Sequence, residues 1–158
     1  MTLDDLLAAF GERRTGKPFA LDRHGVCQID FRGGRRVAVE PDPETDRVYL
    51  YGRVAGLPSR NHAVVYGKLL LANLHGHYTD DAWFALDAAA EEIVLNRTFR
   101  LAHLDPEVFD ASVTGFMDMI ELWSRELADP GFDEDTAGEA AGDEAPLAAF
   151  RPKFMIRG

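Results

Sequence analysis

Leu69-Leu70-Leu71-Ala72-Asn73-Leu74, then Gly76, then Trp83-Phe84-Ala85-Leu86, then Ile93-Val94-Leu95, then a run from Asp105-Pro106 to Trp123 and Leu127: residues 59–127 read as helix, strand, turn, strand, helix. The first of these helices is unusual. Between Ala63 and Leu74 its only full charge is Lys68, and Val64, Val65, Leu69, Leu70, Leu71 and Leu74 surround the axis instead of forming one stripe. A helix apolar on every side asks for cover on every side. A chain of 158 residues has little core to spare, so a second copy of the chain is the economical cover. The closing helix is ordinary: Phe109, Val113, Phe116, Ile120, Trp123 and Leu127 recur at spacings of four and three, a single core-facing stripe.

Upstream, Thr2 is placed to cap a helix in which Leu3, Leu6, Leu7 and Phe10 share a face, with Asp4 and Asp5 at the positive end of its dipole. Gly16 and Pro18 end it. Three strands are expected over residues 26–31, 36–40 and 47–54, the first two joined at Arg32-Gly33-Gly34-Arg35 by a two-residue turn of type I′, whose central positions need positive φ. Cys27, Ile29 and Phe31 alternate with Gln28 and Asp30, and Val48 and Leu50 with Tyr49 and Tyr51. One sheet face is thus core, and the other carries aromatic residues suited to binding. Pro41-Asp42-Pro43 and Gly56-Leu57-Pro58 mark the loops beside the third strand.

The formal net charge of −10 leaves no excess of Lys and Arg to neutralise phosphates, which argues against nucleic acid and anionic membrane as partners. Cys27 is the one cysteine, so no internal disulfide forms. Asp4 and Asp5 stand where a signal peptide needs positive charge, and no apolar run approaches the roughly 20 residues that span a bilayer. A reduced, cytoplasmic protein is expected, and the Asn96-Arg97-Thr98 triplet is not read as a glycosylation site. Past Asp129-Pro130-Gly131 the composition turns acidic among Ala and Gly, then apolar and basic with Leu147, Phe150, Lys153, Phe154, Met155, Ile156 and Arg157. The expected partition is a domain over residues 1–128, an acidic linker over 129–146 and a terminal segment over 147–158.

Little in the chain suggests catalysis. His62, His75 and His77 invite a metal, but no cysteine is near and a third ligand would have to come from Asp80 or Asp81. Adjacent acids such as Asp80-Asp81 and Glu91-Glu92 usually mark turns. Ser59, Ser112 and Ser124 sit on no nucleophile elbow, and Cys27 lies on the apolar side of a strand, where a thiol is inert. Gly33-Gly34 lacks the Lys and Ser or Thr of a phosphate-binding loop, and Arg32, Arg35 and Arg36 read as a solvated hairpin tip. No enzyme, no cofactor and no metal is the expectation.

The order of these elements resembles the class I type III secretion chaperones (CesT/Tir-chaperone family). The resemblance rests on the Leu-rich first helix, Pro18-Phe19, Leu21-Asp22, Gly25-Val26-Cys27-Gln28-Ile29, Leu70-Leu71-Ala72-Asn73-Leu74 and Leu122-Trp123-Ser124-Arg125-Glu126-Leu127, and covers about residues 1 to 128. It implies an α+β fold, three helices packed on a twisted antiparallel sheet of about five strands, acting as a cytoplasmic homodimer. It implies a partner too: the N-terminal segment of one or more secreted effectors, held extended and secretion-competent by strand addition and groove docking. By position the effector-binding residues would be Leu3, Leu6, Leu7 and Phe10, with Val37, Val39, Val48 and Leu50. The dimer interface would fall on residues 59–74 and 83–86, with Val65, Leu69, Leu70, Leu74, Trp83, Phe84 and Leu86. The secretion ATPase and other export components are further partners the resemblance allows. Ala88-Ala89-Ala90 stands where the family has a Gly-rich turn, leaving the register of the last two strands open, and the chain runs on past the usual family end. Two other readings are kept: a small α+β ligand-binding domain or enzyme with an internal pocket using His62, His75 or Asp81, and an adaptor for other secretion components. For the terminal segment, docking onto its own dimer at the client sites stands beside use by another component.

Overall fold

The structure, a computed structural model, describes residues 1–134 together with 150, 152 and 153. Its elements are α1 (Leu3–Thr15), β1 (Cys27–Phe31), β2 (Arg35–Asp42), β3 (Arg47–Gly56), α2 (His62–Asn73), β4 (Trp83–Asp87), β5 (Glu92–Arg100) and α3 (Pro106–Ala128). The fold is α+β. Its strands are hydrogen-bonded in the order β1-β2-β3-β5-β4, with β1 and β2 antiparallel and β2 and β3 antiparallel. The chain divides into two compact units, Met1–Arg53 with Asn96–Asp118, and Val54–Leu95 with the chain from Met119 on.

In the first unit α1 begins as its sequence dictates. Thr2 accepts from the Asp5 N–H while the Asp5 side chain accepts from the Thr2 N–H, a capping box, and Gly16 closes the helix in the left-handed conformation. The Phe10 ring meets Phe109 edge-on at 5.9 Å and Phe19 at 6.1 Å. Arg13 donates to the Pro106 carbonyl at 2.8 Å, and Arg14 pairs with Asp110, tying the end of α1 to the start of α3. The β1–β2 hairpin differs from the two-residue turn expected. Phe31 pairs with Arg35, so residues 32–34 form a three-residue loop with a turn of 3₁₀ helix. Gly33 (φ 73°) and Gly34 (φ 71°) do adopt the positive φ that called for glycine there.

In the second unit the stripe of α3 delivers Ile120 and Trp123 to the core, where the Trp123 ring meets Phe84 edge-on at 4.7 Å and its Nε1–H donates to the Tyr78 carbonyl at 2.8 Å. The turn before β4 is built by Thr79, His75, Asp80 and Asp81. His75, Asp80 and Asp81 take positive φ, and the buried Thr79 hydroxyl donates to the Ala82 carbonyl at 2.6 Å. Asp80-Asp81 is therefore a turn, as adjacent acids usually are. Strands β4 and β5 extend further than expected, and their connection uses Asp87 in place of glycine: its carboxylate accepts from the Ala89 and Ala90 N–H groups at 3.0 and 2.9 Å, and Glu91 takes φ 56°.

Helix α2 is only partly covered by the chain itself. Its buried residues are Val65, Lys68, Leu69 and Ala72, whereas Leu70 and Leu74 lie open. The lone charge faces inward and part of the apolar surface faces out. No helix among the described residues is long and apolar enough to cross a membrane.

Candidate functional site

Two surfaces stand out, one in each unit. In the second, Leu70 (69% exposed), Leu74 (57%), Leu86 (49%) and Trp83 (36%) stay uncovered. Leu70 and Leu86 flank a groove of about 270 Å³ lined also by Tyr66, Leu69, Asn73, Phe84 and Ala85. Helix α2 and strand β4 hold its walls together through Asn73, whose side-chain oxygen accepts from the Phe84 N–H at 2.7 Å and whose amide nitrogen donates to the Phe84 carbonyl at 3.4 Å. Both backbone groups of Phe84 are thus satisfied at the end strand of the sheet. Of the residues assigned to a dimer interface, Leu70, Leu74, Trp83 and Leu86 are at the surface, while Val65, Leu69 and Phe84 are buried beneath them.

The first unit presents the outer face of β1, β2 and β3. Arg36 bridges neighbours on this face, donating to Asp30 at 2.6 Å and to Gln28 at 2.8 Å, and the bond to Arg36 holds the Asp30 carboxyl below its ordinary range. Tyr49 and Tyr51 are half-buried here, and the Tyr51 hydroxyl donates to Glu40 at 2.9 Å. Burial first, and then this bond to an anion, push the Tyr51 phenol up to about 12. Among the described residues strand β1 pairs with β2 alone and stands at one end of the strand order.

The assigned effector-binding side chains lie elsewhere. Leu3, Leu6, Leu7, Phe10, Val37, Val39, Val48 and Leu50 are all buried inside the first unit. The apolar face of α1 and the inner sheet face are thus covered by other residues of the unit. The alternation placing Val48 and Leu50 opposite Tyr49 and Tyr51 is borne out, and it leaves the tyrosines facing outward.

The histidines do not converge. His62 stacks on Tyr66 at 6.0 Å with its Nε2 2.6 Å from the Pro58 carbonyl, and His75 meets His77 ring to ring at 6.1 Å. No group of three potential metal ligands occurs among the described residues. Cys27 is buried, and burial raises its thiol pKa, the opposite of activation. Residues 147, 154, 155 and 156, assigned to the terminal apolar segment, fall outside the described residues.

Sequence reasoning passed over Lys68. Its ammonium is buried and donates to the carbonyls of Phe132 (2.6 Å) and Glu134 (3.0 Å). The signal was present, since a single charge in an otherwise apolar helix needs a buried partner or an open face.

Comparison with known proteins matches residues 5–124 to the Tir chaperone protein (CesT) family. The chain belongs to that family. Among its relatives is the transcriptional anti-antiactivator ExsC of Pseudomonas aeruginosa, 28% identical over 122 residues, spanning 77% of this chain and 83% of that one. The crystal structure of the ExsC–ExsE complex superposes with a TM-score of 0.69 at 27% identity, covering 80% of this chain and 97% of the other. The Yersinia pestis type III secretion chaperone SycH, solved with a fragment of YscM2, gives a TM-score of 0.59 at 17% identity, covering 76% and 98%. At that identity the likeness concerns the fold alone. The family is one of chaperones, consistent with a chain whose candidate surfaces are an apolar groove and an open sheet face.

Proposed function

We propose that the chain is a homodimeric, cytoplasmic type III secretion chaperone that holds the N-terminal segment of one or more effectors extended until export. The observation that carries this reading is the uncovered apolar surface of Leu70, Leu74, Trp83 and Leu86 on a member of the CesT family. In a two-fold pairing the same patch serves both copies, so each side chain counts twice. Covering a large apolar side chain fully contributes roughly 1.5–3 kcal/mol. The client is taken by the first unit: the open edge of β1 offers backbone groups to an added strand, and Tyr49 and Tyr51 offer ring surface. The buried residues of α1, β2 and β3 support that surface from beneath. On this reading the secretion ATPase and other export components are further partners of the loaded dimer.

Sedimentation at micromolar concentration should give a dimer. Leu70→Asp should give a folded monomer, because Leu70 makes little of the chain's own core, whereas Leu69→Ala should cost about 2–5 kcal/mol of stability. A wild-type chain that sediments as a monomer sinks the dimer. For the client, N-terminal segments of the bacterium's secreted proteins should be soluble when co-expressed with the chain and aggregate without it. Replacing Tyr49 and Tyr51 by Ala together should weaken client binding while dimerisation persists.

The likeness to ExsC favours a second reading. A protein named for countering an antiactivator acts on transcription, and by that likeness this chain would bind a regulatory protein as well as escort a client. Deleting its gene would then change transcription of secretion genes, not only export of the client.

A further inference from the structure

Beyond Ala128 the chain turns through Asp129–Glu134, with Asp129 accepting the Gly131 N–H at 2.9 Å. Lys68 reaches this turn from α2, its Nζ bonded to the Phe132 and Glu134 carbonyls and 5.2 Å from the Phe132 ring centre. Residues 135–149 intervene before Phe150, which comes back to the same place. Its ring meets Phe132 edge-on at 5.7 Å and lies 5.6 Å from Lys68 Nζ. Pro152 is buried. The Lys153 N–H donates to Glu126 Oε1 at 3.1 Å, and the Lys153 ammonium pairs with Asp129.

The placement of the acids explains what this surface is for. Glu126, in the last turn of α3 and 8% exposed, and Asp129, just past it, sit at the negative end of the helix dipole, where anions are disfavoured. Carboxylates held there concentrate negative potential that a cation and an unpaired N–H relieve. Beside them the Phe132 ring and the buried Lys68 ammonium receive an aromatic ring, through edge-on stacking and a cation–π contact.

We propose that Glu126, Asp129, Phe132 and Lys68 form a site for a linear peptide segment, reading an aromatic side chain, a proline two positions on and a lysine next to it, and that the chain keeps this site filled with its own Phe150, Pro152 and Lys153. The site is separate from the surfaces assigned to dimer and client, so it stands whether or not the chaperone reading does. Because the segment is tethered, its local concentration is on the order of millimolar. A docked segment then implies a site dissociation constant below that value, which a peptide in trans must reveal once the chain's own segment is disabled.

The test uses full-length protein and a labelled synthetic peptide of residues 147–158, followed by fluorescence anisotropy to a few millimolar. Wild type should show no saturable binding. The double variant Phe150→Ala, Lys153→Ala should bind saturably with an unchanged circular dichroism spectrum, and adding Asp129→Asn should weaken that binding several-fold. Native-state hydrogen exchange gives a second readout: the Lys153 amide should be protected in wild type and lose protection in Glu126→Ala, which removes its acceptor. No saturable binding to the double variant, binding indifferent to Asp129→Asn, or an unprotected Lys153 amide would each overturn the proposal.

Discussion

Tyr51 shows how far a single side chain's surroundings can be pressed into a measurement. Its phenol is pushed up to about 12 by burial and by the bond to Glu40, so the folded chain favours the neutral form. A group with a raised folded pKa contributes stability that is complete below its unfolded value, about 10 for tyrosine, and is lost as pH rises through the folded value. A phenolate absorbance titration should therefore show a component near 12 that Tyr51→Phe removes. A titration unchanged by Tyr51→Phe in that range would show that the Glu40 contact does not persist in solution. The neighbours Leu69 and Leu70 teach a different lesson at this scale. Both are leucines in one apolar run, and only the structure reveals that the first is core and the second is surface. A one-dimensional sequence records hydrophobicity but not which side of α2 the sheet lies on.

Among the elements, those with one-sided patterns were legible. The Thr2–Asp5 capping box, the stripe of α3 and the alternation in β3 each follow from residue spacing alone. The connection after β4 was not, because Asp87 and Glu91 supply the turn chemistry usually given by glycine, and a carboxylate that caps two N–H groups looks in sequence like any surface acid. The burial of the assigned client residues on α1 was not legible for a related reason: an amphipathic face says that something covers it, not whether the cover is the chain or a guest. Two glycines in helices make the same point experimentally. A Cβ on Gly11 would lie 2.4 Å from the Phe19 nitrogen and 2.5 Å from the Lys17 oxygen, because the chain leaving α1 passes back against the helix. Gly11→Ala should cost about 1–3 kcal/mol or more, since backbone must move to admit it. Gly115 in α3 has nothing within 4 Å of its would-be Cβ, so Gly115→Ala should stabilise by about 0.5–1 kcal/mol. Urea denaturation of both variants checks the pair, and equal effects would refute the packing described for α1.

At the scale of the whole molecule, family and fold were readable because the order of elements survives where individual motifs are weak, whereas the contact between Phe150 and Phe132 was not, since nothing local in the sequence says where a returning segment lands. The division into two units has a practical outcome. The one cysteine, Cys27, lies buried in the first unit, and both tryptophans, Trp83 and Trp123, lie in the second. Nature has thereby labelled the halves with different reporters. A thiol reagent can modify Cys27 only when the first unit opens, so its reaction rate measures that opening, while indole fluorescence follows the second unit alone. If the halves melt as one, the fluorescence midpoint in urea and the onset of rapid thiol modification will coincide. If they part, the cysteine will react while the tryptophans still report a native environment, or the reverse, and the order will say which half a secretion apparatus would find easier to prise open.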